Sequence, residues 1–188
     1  KCHFFVLRKF YINLDQDSRL QFRDNVLACI APNLHNSIVT SEMISTIVLI
    51  SLYEWPENWP AFPFEVYPDN DDEALRINFF IELFNELITQ VLQSNLIEPN
   101  RRFFLISHLS TLVPEILSIV IPAIGPDVDR DSFKHAMELF INLLNISPIE
   151  HFQNENILEF IISAFPYDES KDNETYHIEW LKFADKLL

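Results

Sequence analysis

Apolar residues recur at helical spacing along almost the whole chain, and prolines punctuate them. Residues 2–12 read as the last turns of a helix. Residues 17–31 predict a second, with Asp17 or Ser18 as its cap, Leu20, Val26, Leu27 and Ile30 on its apolar side, and Pro32 at its end. A third helix is expected from about 38 to 55. Its centre, Ile47-Val48-Leu49-Ile50, is apolar on every side, so neighbours must cover both flanks. A short helix over 59–66, interrupted by Pro63, follows. The acidic run Asn70-Asp71-Asp72-Glu73 then caps a helix over 72–93, in which Ile77, Phe80, Phe84, Leu87, Ile88 and Val91 share a face. Pro99 suits the first position of a long helix reaching about 123, and Pro114 is expected to kink it. The clearest stripe, Phe133, Ala136, Met137, Phe140, Leu143 and Leu144, predicts a helix over 130–146 that Pro148 breaks. Further helices are expected at 153–165 and from 174.

Helix starts near 38, 72, 130 and 174 scatter around the ~40–47-residue spacing of HEAT units, with insertions blurring the period. The expected fold is all-α, a HEAT-repeat-like solenoid of four to five antiparallel helix pairs over residues 1–188. A compact helical bundle is the alternative. The opening residues, Lys1-Cys2-His3-Phe4-Phe5, start in mid-pattern and read as part of a longer chain.

The segment Tyr53-Glu54-Trp55-Pro56-Glu57-Asn58-Trp59-Pro60-Ala61-Phe62 interrupts the periodicity most sharply. Pro56 lacks an N–H and drives Trp55 out of the α region, so the preceding helix must stop there. Pro60 is tolerated in a first turn, so a new helix is expected to start at once. Trp55, Pro56, Trp59 and Pro60 therefore read as a structural corner. Each Trp has roughly 150–250 Å² to bury there.

Composition narrows the function classes. The chain is 48% hydrophobic with 17 Phe, which excludes disorder. It has a single glycine, Gly125, so phosphate-cradling and dinucleotide-binding loops are excluded. Net charge is −15, which repels phosphate backbones on close approach and suits a basic protein partner or plain solubility. Cys2 and Cys29 are too few for a disulfide framework, and Cys29 is expected to be a buried thiol. The longest apolar stretches carry Glu42, His108, Pro114 or Glu115, so no membrane insertion is expected.

Catalytic and metal chemistry find little support. The six His residues show no outstanding metal-ligand spacing, and there is no Gly-x-Ser-x-Gly elbow. The run Asp127-Val128-Asp129-Arg130-Asp131 lacks the glycine and final glutamate of a calcium loop and reads as helix capping. No enzyme, metal or cofactor is expected. Arg101 and Arg102 form a basic pair at a helix start, read either as meeting an acidic partner or, by slight preference, as pairing with Glu98.

A helix ending in Glu-Trp-Pro, two spacers and a second Trp-Pro resembles the corner near the N-terminus of exportins, members of the importin-β superfamily. Leu7-Arg8-Lys9-Phe10, the stretch from Asp15 to Asp24, and Leu144-Asn145-Ile146-Ser147-Pro148 before Phe152 are similar to exportin repeat ends. Pro99-Asn100-Arg101-Arg102 is most similar to the exportin-five branch; Trp59-Pro60-Ala61-Phe62 leans toward exportin-one. Pro63 departs from the pattern. The resemblance implies a nuclear export receptor fragment that shuttles between nucleus and cytoplasm. Its implied partners are Ran in its GTP form, nucleoporins, and cargo protein or structured RNA through the full-length chain. It also implies that the second helix of each hairpin faces Ran. That places Arg19, Arg23 and Asp24 on the Ran-facing surface, where reversing both arginines would weaken Ran binding without lowering stability. The alternative is a HEAT-like interaction scaffold unconnected with transport.

Overall fold

The computed structural model describes residues 7, 9–95, 97–121 and 130–152. The expected helices at 153–165 and from 174, and the loop from Pro122 to Asp129, lie outside them. Among the described residues every regular element is helical. The α-helices are α1 (Gln16–Ala28), α2 (Ile30–Asn33), α3 (Ser37–Glu54), α4 (Glu73–Gln93), α5 (Pro99–Val120) and α6 (Arg130–Leu144). Short 3-10 turns cover Phe64–Val66 and Ile149–Phe152. The chain divides into two compact units, Lys1–Ile97 and Glu98–Leu188.

In the first unit α3 is the central helix and packs against α1, α2 and α4. Asn36 starts it by accepting the Val39 N–H at 3.3 Å. Ile47, Val48, Leu49 and Ile50 are all fully buried, so the helix is covered on every side as its sequence demands. Asp72 caps α4 through the Leu75 N–H at 3.1 Å. The α4 stripe is buried as expected and is wider, because Phe79, Ile81 and Leu83 are buried too. In the second unit Pro99 opens α5, which runs past Pro114 to Val120 and packs against α6. The α6 stripe is buried except Leu144, which is half-exposed, and Leu139 takes a core position instead.

Three local expectations are corrected. Asp15, not Asp17 or Ser18, caps α1; its extended backbone lets the carboxylate accept from the Ser18 N–H at 2.8 Å and the Ser18 hydroxyl at 2.9 Å. Pro32 acts one turn earlier than read. It cannot donate to the Ala28 carbonyl, so α1 stops at Ala28 and Pro32 falls inside the short α2. Cys29, at this break, is exposed rather than buried, and Leu20, two turns upstream, is 38% exposed. No α-helix starts at Pro60. Pro63 lacks the N–H that would bond the Trp59 carbonyl, and Phe62 makes a tighter turn to it at 3.2 Å instead.

Helices α3 and α5 are also long and apolar enough to cross a membrane by length and composition. The length test thus passes where the interrupting polar residues pointed the other way. Half of the α3 stretch is buried by the rest of the protein, as in a core helix.

Candidate functional site

The end of α3, the start of α1 and the Trp-Pro segment meet in the first unit. Trp55 is extended at φ −85°, ψ 141°, the conformation Pro56 imposes, and this ends the helix. The Asn58 and Trp59 N–H groups both turn back to the Glu54 carbonyl, at 2.7 and 3.1 Å. They satisfy a carbonyl that the helix end would otherwise orphan. Trp55 and Trp59 are buried and both pack on Phe62, with ring centroids 5.8 and 4.8 Å apart. The Trp59 indole N–H donates to Glu65 at 2.6 Å. Pro56 is half-buried and Pro60 exposed, and the Trp55–Pro56 and Phe62–Pro63 peptides are cis.

Glu54 is 8% exposed although it is charged. Its Oε1 accepts from the Tyr11 hydroxyl at 3.1 Å and from Arg19 Nη1 at 3.2 Å. Arg19 also donates through Nε to the Leu14 carbonyl at 3.1 Å and through Nη2 to the Ile12 carbonyl at 3.0 Å. Its guanidinium lies 5.4 Å from the centre of the Tyr11 ring. Burial pushes the Tyr11 phenol well above its ordinary value, and the adjacent Glu54 carboxylate adds to the effect. Arg19 is thus turned inward as the clasp between the segment before α1 and the end of α3.

Arg23, one turn on, lies with its guanidinium 5.1 Å over the Trp59 ring. Asp24 projects outward, its side chain 67% exposed, at 3.5 Å from Arg23 Nε. The three residues read together from the sequence therefore divide: two cations serve the junction and one anion faces solvent. Tyr11, Leu14, Gln16, Arg19, Arg23, Glu54 and Asn58 help line a cleft of about 340 Å³ there. A second, apolar groove of about 450 Å³ runs between α1 and α3, lined by Phe22, Val26, Cys29, Ile38, Val39 and Met43.

Sequence reasoning missed Tyr11 and Glu54. The signal for Glu54 was present: a carboxylate at the end of an otherwise apolar helix, next to an obligatory stop. Tyr11 carried none, because its partner is 43 positions away. Elsewhere, Arg101 rests over the Phe104 ring at 5.4 Å, and Ser147 Oγ meets His151 Nδ1 at 2.6 Å. Among the described residues no group of His, Cys, Asp and Glu gathers around a metal-sized space.

The sequence model of the family described as "Exportin 1-like protein" matches residues 36–177. The chain belongs to the exportin 1-like family. Its fold class is accordingly all-α, of the HEAT-like α-solenoid type. The match opens at the Asn36 cap of α3 and includes the whole Trp-Pro corner. Searches of curated proteins and of solved structures gave no match.

Proposed function

We propose that the chain is part of a nuclear export receptor, contributing to the binding of Ran-GTP and of cargo. The observation that carries this reading is the family match over residues 36–177, which takes in the Trp-Pro corner and the central helix of the first unit. The exportin family as a whole ferries cargo between nucleus and cytoplasm, so this chain would shuttle and meet nucleoporins. Its work is binding, not catalysis. The exportin-one and exportin-five branches each supply part of the local likeness, so cargo is proposed only as protein or structured RNA held through the full-length chain.

The test is capture of Ran by the full-length protein with the nucleotide varied. Strong capture of GTP-loaded Ran and little of GDP-loaded Ran is expected. Equal capture of both, or none, would favour the second reading, a HEAT-like scaffold outside transport.

A further inference from the structure

We draw no further inference here: the strongest candidate, the open apolar groove between α1 and α3 lined by Phe22, Val26, Cys29, Ile38, Val39 and Met43, is an unpartnered face, and nothing in the structure shows what covers it.

Discussion

Glu54, the last residue of α3, holds the Arg19 guanidinium at 3.2 Å across 35 positions of sequence. The pair joins the start of α1 to the end of α3. Glu54 also receives the Tyr11 hydroxyl at 3.1 Å, so a buried carboxylate is neutralised by one cation and one neutral donor. The Trp-Pro stop places Glu54 here.

Removing Arg19 leaves the Glu54 carboxylate buried with Tyr11 alone. Arg19→Gln is expected to cost about 1–3 kcal/mol, the penalty for an under-satisfied buried group, moderated because the Arg19 side chain is 32% exposed. Tyr11→Phe and Arg19→Gln should not be additive, since they share one oxygen. Chemical denaturation of the two single variants and the double variant reads the coupling. Strict additivity would show that the shared carboxylate is not the link.

The indoles are the larger stake. Trp55→Ala or Trp59→Ala should each cost about 3–5 kcal/mol, as for other large-to-small changes at buried sites. Trp59→Phe separates packing from polarity. It keeps a ring against Phe62 and removes only the indole N–H that Glu65, itself exposed, accepts at 2.6 Å. Thermal melts should rank the alanine variants well below Trp59→Phe. Wild-type melting of both alanine variants would remove the corner's scaffold role.

Much of this was legible in the chain because it is local. The stop at Trp55 follows from the proline after it, and the burial of Ile47–Ile50 from an absence of any polar side. Two of the misreadings share one cause. Pro32 and Pro63 were read as acting at their own positions, whereas a proline deletes a bond to the carbonyl four residues back. That displaced the end of α1, where Cys29 is exposed, and replaced a helix at Pro60 with turns. The inward course of Arg19 was not legible at all. It depends on the buried Glu54 and on Tyr11, partners that no periodicity within α1 announces.

Tyr11 gives the junction a pH dependence. Its folded value is raised above the ordinary 10.0 by burial first and by Glu54 second. The neutral phenol is therefore favoured in the folded state. Its contribution is fully present below the unfolded value of about 10 and fades as pH climbs through the folded one. Stability should fall on the alkaline side, and Tyr11→Phe should flatten that limb. A limb of the same slope in both proteins would assign it to other groups.

Reversing Arg19 and Arg23 together is expected to lower thermal stability, contrary to what their helix position alone implied. Glutamate at 19 would set a second carboxylate against Glu54, and glutamate at 23 would lose the Trp59 stack. Asp24→Lys is the clean surface probe, because that side chain is 67% exposed. Its melting should stay within about 0.5 kcal/mol of wild type. Any change in Ran-GTP capture by this variant then reports on binding alone. Unchanged capture would place Asp24 outside the contact surface.

The last expectation concerns RNA. Affinity for a phosphate backbone comes from Lys and Arg that neutralise it, and it falls steeply with salt. The chain has 28 acidic against 13 basic residues, so its average field opposes that contact. The structure deepens the argument, because several arginines are occupied within the chain. Arg19 clasps Glu54, Arg23 covers Trp59, Arg76 lies over Tyr67 and Arg101 over Phe104. Arg102, the other half of the basic pair at the start of α5, has its Nε buried. A structured-RNA cargo of the full-length protein would therefore draw its affinity from elsewhere. Residues 1–188 alone should show no measurable RNA binding at physiological salt. A gel-shift titration with a short hairpin RNA checks this. Submicromolar binding that weakens steeply with added salt would overturn the charge argument and assign this segment a direct RNA contact.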